Sequence, residues 1–278
     1  MAAGESLVNH LISVVIPAYN AAAFLDRAVQ SVNAQTFRDI ETIIVDDGSG
    51  DETPAAAERL SNCRYFRIAH SGLPAVPRNF GVKQAQGEYI AFLDADDEWV
   101  PGKLQVQSQI LEANSGIGLV CSNAFVMRDD HRDTGELYLK PGQGKTGKVL
   151  KQLAKDNFII TSTVLMRKDL FHSSGGFSEE PQLCALEDYD LWLRVAGVAD
   201  IRYVEEPLAF YRDSPSSLSR VTRDQTVAQS IAMAKCAECD VHLNAHEYSE
   251  LVAAWLRFLE KQPLRALKYM AVKLSGSR

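Results

Sequence analysis

The chain has 278 residues, 46% of them hydrophobic and 23% charged, with a net charge of -7. Those values exclude a disordered chain, allow one large domain or a domain with an appendage, and argue against nucleic acid as the main partner. No stretch is long and apolar enough to span a bilayer. The five cysteines are scattered, as expected for reduced thiols in a cytoplasmic setting rather than a disulfide framework. Residues 1–10 lack a basic segment followed by an apolar run, so no secretory signal is expected there.

Residues 12–16 are a β-branched run stopped by Pro17, which predicts a first parallel strand. Asn20 is a candidate N-cap for a helix in which Phe24, Leu25, Ala28, Val29 and Val32 recur at helical spacing. A second strand is expected at 42–45, a helix at 53–60, a short strand at 65–68 and a helix at 77–86 carrying Arg78 and Asn79. Residues 89–93 form a short, wholly apolar strand candidate, and 101–114 a helix with Pro101 in its first turn. Strand character returns at 118–122 and 159–166, with a polar, Gly-rich loop or mobile hairpin at 128–148 between them. A helix is expected at 187–195, short closing strands at 202–204 and 209–211, and a Ser-rich loop at 213–220. The alternation of strands and helices predicts an α/β chain with a mostly parallel central sheet flanked by helices. From 222 onward the pattern is helical only, so the expected division is a domain over 1–221 and a helical extension over 222–278.

The chain is organised around the stretch from Glu88 to Trp99, where a buried strand runs into Asp94, Asp96 and Asp97. A strand cannot bury that much charge without partners. The acids are therefore expected at the carboxyl end of the sheet, where open α/β folds place their ligands. Asp46 and Asp47 end the preceding long strand in the same way. Carboxylates grouped at one sheet end need hydrogen-bond donors or cations. A nucleotide supplies donors from its base and ribose, and a divalent ion on its diphosphate supplies positive charge. The plain alternative for an isolated Asp-x-Asp is a solvated acidic turn.

Ser13-Val14-Val15-Ile16-Pro17-Ala18-Tyr19-Asn20, Ile44-Val45-Asp46-Asp47-Gly48-Ser49, Arg78-Asn79, residues 87–97 and Leu186-Glu187-Asp188-Tyr189-Asp190-Leu191-Trp192 come in a specific order. In that order the chain resembles the family 2 glycosyltransferases of the GT-A fold, over about residues 12–220. The resemblance implies sugar transfer from a nucleoside diphosphate, UDP first among candidates, to a glycan or lipid-linked acceptor, with inversion. By likeness Pro17, Tyr19 and Asp47 surround the base, Arg78 lies near base or phosphates and Asp94 reaches the ribose. Asn20, Asp46 and Ala95 are counted with these nucleotide contacts. Asp96 is the expected ligand of Mn²⁺ or Mg²⁺, with Asp97 a weaker candidate, and Asp188 the expected base. Gly176, Phe177, Glu187 and Trp99 are candidates for contact with donor or acceptor sugar, and Trp192 for the core. Arg212 and Ser217 belong to a late loop over the diphosphate. Asp213-Ser214 stands there in place of the histidine many relatives carry, which leaves a third protein metal ligand open.

Other signals compete. Residues 142–148 almost spell a phosphate-binding loop, but Val149 stands where a metal-holding Ser or Thr is required. A nucleoside triphosphatase is thus a minor alternative, and a silent nucleotide-sugar-binding or scaffold protein another. Cys236, Cys239, His242 and His246 have metal-like spacing that also describes one helix face. Residues 255–278 are basic and amphipathic, read either as a packing helix with a solvated face or as a peripheral contact with the inner face of a membrane.

Overall fold

A computed structural model describes residues 11–128, 135–154 and 156–214. Ser217, the expected boundary at 221, the cysteine–histidine group and the basic C-terminal segment lie outside the described residues. The described chain runs β1 (Ile12–Ala18), α1 (Leu25–Asn33), β2 (Ile40–Asp46), α2 (Thr53–Glu58), β3 (Cys63–Arg67), α3 (Ala75–Gln84), β4 (Tyr89–Phe92) and β5 (Glu98–Trp99). It continues with α4 (Lys103–Ala113), β6 (Ile117–Met127), α5 (Leu150–Leu153), β7 (Leu165–Arg167), α6 (Lys168–Ser173), α7 (Glu187–Val198) and β8 (Asp200–Arg212).

The strands make one sheet of eight in the order β3-β2-β1-β4-β7-β6-β8-β5. β1 pairs parallel with β2 and β4, and β2 with β3. β7 then runs antiparallel to both β4 and β6, while β6 and β8 are parallel and β5 is antiparallel to β8. Side-chain alternation along the strands divides the core. Val15, Ile43, Val45, Ile90 and Phe92 pack on one face with Val82 of α3 and Leu191, Trp192 and Val195 of α7. Val14, Ile16, Ile44 and Ala91 pack on the other with Leu25, Ala28 and Val29 of α1 and Leu104 of α4. Trp192 is fully buried, in the core where its helical spacing puts it.

Several local expectations are corrected. Asn20 caps no helix: it sits at φ 50°, and α1 starts only at Leu25. The strand expected over 159–166 is cut to β7 by a one-turn 3-10 helix at Thr161–Thr163. The hydroxyl of Thr163 donates to the Ile160 carbonyl at 2.7 Å, a local bond that competes with strand pairing. The two closing strands are one long strand, β8, whose irregular middle is absorbed by register shifts opposite Ser122, Asn123 and Ala124. β6 likewise runs well past the expected end at 122. The short elements β5, α5 and α6 carried no sequence signal long enough to read.

Candidate active site

β2 and β4 flank β1 and run parallel to it, so their acidic tips lie at the same end of the sheet. At the end of β2 the chain turns through Gly48, at φ 71°, where an added Cβ would lie 2.7 Å from the His70 backbone nitrogen. Asp46 is fully buried and points into this turn. It accepts from the Ser49 N–H at 2.8 Å and the Tyr65 hydroxyl at 2.8 Å. Its carboxylate therefore holds the turn and presents no surface to the cleft. Asp47 accepts from the Ser71 N–H at 2.9 Å and the Gly72 N–H at 3.2 Å, and lies 3.0 Å from Nδ1 of His70. His70 in turn stacks on Tyr19 at 4.2 Å between centroids. Tyr19 is half-exposed, so its ring is open at the mouth of the sheet beside Pro17. Asn20 braces the same corner: its Oδ1 accepts from the Gly50 N–H and its own N–H donates to Ser49 Oγ.

Arg78, on α3, is buried and bridges two acids that are distant in sequence. It donates to Asp94 Oδ1 at 2.7 Å and to Glu187 Oε1 at 2.5 Å. Burial works against its positive charge, but Asp94 and Glu187 outweigh that cost and hold its pKa above the ordinary arginine range. Glu187 is itself buried, with Oε2 lacking a hydrogen-bond partner among the described residues. Arg78 thus ties the acidic turn after β4 to the first residue of α7.

The turn after β4 is held from three sides. The Asp94 N–H donates to Ser162 Oγ at 3.0 Å, and Ser162 Oγ donates to Asp97 Oδ2 at 2.5 Å. The Arg212 N–H donates to Asp97 Oδ1 at 2.7 Å, and its Nε to the Asp96 carbonyl at 3.1 Å. Asp97 is buried and its pKa is pushed well up by burial, then by Asp96 and Asp94, so it belongs to the frame rather than to the open cleft. Ala95, between the acids, is also buried. Burial, then the neighbouring Asp94, raises the Asp96 carboxyl to about 6. No described side chain hydrogen-bonds that carboxylate. A carboxylate that no described side chain donates to, beside a second acid, suits a hard divalent cation, which takes carboxylate oxygens together with substrate phosphate and water. Among the described residues no three His, Cys, Asp or Glu side chains gather to hold a metal. Asp213 therefore does not complete a set with Asp94 and Asp96.

Asp188 stands at the start of α7, next to Glu187. Its Oδ2 accepts from Thr161 Oγ1 at 2.8 Å and its Oδ1 from the Tyr189 N–H at 2.6 Å. Burial, then Glu187, raises its carboxyl to about 6, against the lowering effect of Arg78 and these hydrogen bonds. A carboxyl tuned this way is ionised at neutral pH and still basic enough to take a proton. The adjoining turn is set by Gly176 at φ 68°. Arg194 of α7 donates to its carbonyl and to that of Ser174, and pairs with Asp190.

Two expected sugar contacts are corrected. Trp99 is buried, its Nε1 donates to the Ser162 carbonyl at 2.6 Å and Lys103 Nζ sits 4.0 Å from its ring centroid. Phe177 is buried against Phe92, Phe171 and Trp192. Both rings serve the core, because their neighbours leave no face open. His70, Thr161 and Ser162 were not legible in the sequence: a single His, Ser or Thr in a short polar run carries no spacing signal. The near-match to a phosphate loop is excluded as such. Lys145 donates to the Gly142 carbonyl, the segment bridges to β8 through Gly147 and Ile201, and among the described residues no strand runs directly into it.

The Glycosyl transferase family 2 model matches residues 13–175. An uncharacterised glycosyltransferase of Rickettsia conorii is 32% identical over 210 residues, 73% of this chain, which spans only 34% of that relative's length. The UDP-Glc:alpha-D-GlcNAc-diphosphoundecaprenol beta-1,3-glucosyltransferase WfaP of Escherichia coli is 32% identical over 187 residues, 66% of this chain and 70% of that one. Among solved structures, S. aureus TarS 1-349 in complex with UDP-GlcNAc superposes with a TM-score of 0.71 at 19% identity, covering 90% of this chain and 72% of that one. The mannosyltransferase PcManGT from Pyrobaculum calidifontis, in complex with GDP-Man and Mn²⁺, gives 0.64 at 18% identity, covering 99% and 78%. These likenesses identify the architecture as GT-A. With the family model matching more than half of its length, the chain is a glycosyltransferase-family protein, a member of glycosyl transferase family 2.

Proposed function

We propose that the protein transfers a sugar from a nucleoside diphosphate, most simply UDP, to the hydroxyl of a glycan or lipid-linked acceptor, with inversion at the anomeric carbon. The observation that carries this reading is Asp188, a carboxylate tuned to about 6 and oriented by Thr161 at the cleft edge. In the reaction the acceptor oxygen attacks the anomeric carbon while the bond to the diphosphate oxygen breaks. The acceptor proton passes to Asp188, and the nucleoside diphosphate leaves with the electron pair. Tyr19 and Asp47 receive the base, Asp94 the ribose, and Arg78 holds Asp94 and the Glu187–Asp188 corner in mutual register. Asp96 is the residue to hold Mn²⁺ or Mg²⁺, which when bound neutralises charge on the departing diphosphate. Support for a UDP donor and a lipid-linked acceptor comes from the similarity to WfaP, a UDP-Glc:alpha-D-GlcNAc-diphosphoundecaprenol beta-1,3-glucosyltransferase, and to TarS, which binds UDP-GlcNAc. PcManGT with GDP-Man and Mn²⁺ supports the metal and keeps GDP-sugars in the donor panel. An acceptor of that kind fits a protein working in the cytoplasm or at the inner face of a membrane. No described helix is long and apolar enough to cross one.

The test is product formation from a panel of UDP- and GDP-sugars with a GlcNAc-diphospho-lipid acceptor, followed by assignment of the anomeric configuration. Asp188→Asn is expected to lower kcat by about 10²- to 10⁴-fold, the usual worth of a positioned base. A product retaining the donor's configuration, or an Asp188→Asn protein with full kcat, would overturn the reading. A protein that binds nucleotide and turns over nothing would point to a binding subunit.

A further inference from the structure

Two large aromatic side chains stand well exposed among the described residues, Tyr19 at 50% and Tyr138 at 44%. Tyr19 belongs with His70 at the β2 end of the cleft. Tyr138 lies on the stretch that follows β6. Its ring meets Tyr211 edge-on, with centroids 5.0 Å apart and planes at 71°. Tyr211 packs against the core cluster that contains Ile160, the neighbour in sequence of Thr161, whose hydroxyl holds Asp188. Tyr211 also precedes Arg212, which holds the turn carrying Asp96 and Asp97. After partial burial, the carboxylates of Asp188, Asp213, Asp156 and Asp97 together raise the Tyr138 phenol above its ordinary pKa, Asp188 first among them. The aromatic pair therefore stands beside the turn after β4 that Arg212 holds, with Asp188 close enough to act on the Tyr138 phenol.

The stretch bearing Tyr138 is fixed rather than loose. The Tyr138 N–H donates to the Ala124 carbonyl at 2.9 Å, and the Val126 N–H to the Glu136 carbonyl at 2.8 Å. Buried Asn123, at the register shift in β6, grips the next residue twice: its Oδ1 accepts from the Leu139 N–H at 3.0 Å and its Nδ2 donates to the Leu139 carbonyl at 2.9 Å. A buried amide spent on a surface stretch, with an open ring beside it, is how a fold preorganises a contact.

We propose that Tyr138, backed by Tyr211, is the acceptor subsite: a platform for the apolar face of an uncharged pyranose whose hydroxyl is presented to Asp188. The proposal rests on the reading of Asp188 as the base. A pyranose offers a face of C–H groups that suits an aromatic surface, while its hydroxyls stay available to water and polar side chains. The carboxylates of Asp188 and Asp156 near the phenol disfavour an acceptor residue that is itself an acid, such as a uronic acid, through like-charge repulsion.

Saturation-transfer NMR on the full chain, with UDP and Mg²⁺ present, tests this with three probes: methyl α-N-acetylglucosaminide, methyl α-glucoside and methyl α-glucuronide. Saturation is expected on the ring protons of the two neutral probes, with the glucuronide bound at least about tenfold more weakly. Tyr138→Ala should weaken the neutral probes by about tenfold, while Tyr138→Phe and Tyr138→Trp retain them. The UDP-induced thermal shift of Tyr138→Ala should match that of the wild type, which reports an intact fold and donor side. No saturation in the wild type, or equal binding by Tyr138→Ala, overturns the subsite. Equal binding of the glucuronide overturns its charge selectivity. Failure of the transferase reading looks different: no thermal shift with UDP and no product, with pyranoside binding at Tyr138 still measurable.

Discussion

Asp188 is held half-buried beside a second carboxylate, and the ionised form of its side chain is disfavoured in the folded protein. Its carboxyl titrates at about 6 against an ordinary 3.8. Below pH 3.8 both folded and unfolded chains carry the proton and no penalty exists; above about 6 both are ionised and the penalty is complete. The group's contribution to stability therefore falls as pH rises through that window. Asp188→Asn keeps the Thr161 bond and removes the charge, so it should raise the melting temperature at pH 8 and do so less at pH 4. A lower melting temperature at pH 8 would contradict this. The rate has the opposite sign: transfer should fall off as pH drops below about 6, because the base is then protonated. Arg78 acts on the same group. Replacing it by Gln leaves Asp94 and Glu187 without their cation in a buried place, which should cost about 3–5 kcal/mol in urea unfolding. It should also move the acid limb of the rate profile to higher pH, since Arg78 lowers the Asp188 pKa. Arg78→Gln combined with Glu187→Gln should recover part of both. An unmoved acid limb in Arg78→Gln would show that Arg78 does not act on the base.

At the scale of elements, the site depends on how closely α3 lies on the sheet. Gly81, three residues after Arg78, faces Val15 of β1 and Val45 of β2, with no room for a methyl group. Gly81→Ala must lift α3 or displace both valines, so a loss of about 1–3 kcal/mol is expected in urea unfolding. Because Arg78 rides on α3, the same change should lower kcat more than it raises the donor KM. A Gly81→Ala protein as stable as the wild type would mean that the helix has slack. Helix α7 ties chemistry to packing in the same way: Asp188 stands in its first turn, Trp192 anchors its buried face, and Arg194 holds the glycine turn. The one-turn helix at Thr161–Thr163 joins the two acid groups, with Thr161 bonded to Asp188 and Ser162 to Asp97.

On the scale of the whole molecule, the change from parallel to antiparallel pairing at β4 and β7 divides the residues proposed for the nucleotide from those proposed for the acceptor. The parallel half, β3-β2-β1-β4, gathers Tyr19, His70, Asp47 and Asp94 at the carboxyl ends of its strands, as open α/β sheets do. The half built on β6 and β8 supplies Arg212, Tyr211 and the frame of Tyr138. Nucleotide binding should therefore be measurable without acceptor. UDP with Mn²⁺ at about a hundred times its dissociation constant should stabilise the protein by roughly 2.7 kcal/mol in thermal unfolding. Asp96→Ala should abolish the metal-dependent part of that shift. Stabilisation by UDP that is equal with and without metal would remove Asp96 from the metal role.

Sequence was informative locally and in order: strands 12–16, 42–45 and 89–93 were readable because β-branched or wholly apolar runs end in acids, Gly or Pro within a few residues. The order of Pro17-Ala18-Tyr19-Asn20, Asp46-Asp47, Asp94-Ala95-Asp96 and Glu187-Asp188 carried the family and the acids with it. What each side chain faces followed from the packed fold. Asp46 and Asp97 turned out to be frame, and Trp99 and Phe177 core, because burial depends on neighbours far away in the chain. Arg78 joins Asp94 and Glu187 across a separation of 109 residues from the latter, and no local pattern encodes such a bridge. Tyr138 could be read only as part of a polar stretch, because its place follows from the Asn123 grip and the register shift in β6. Local sequence sets which elements form through short-range sterics and periodicity. The site is made where those elements meet, and that is settled by packing and by the pairing of buried charge.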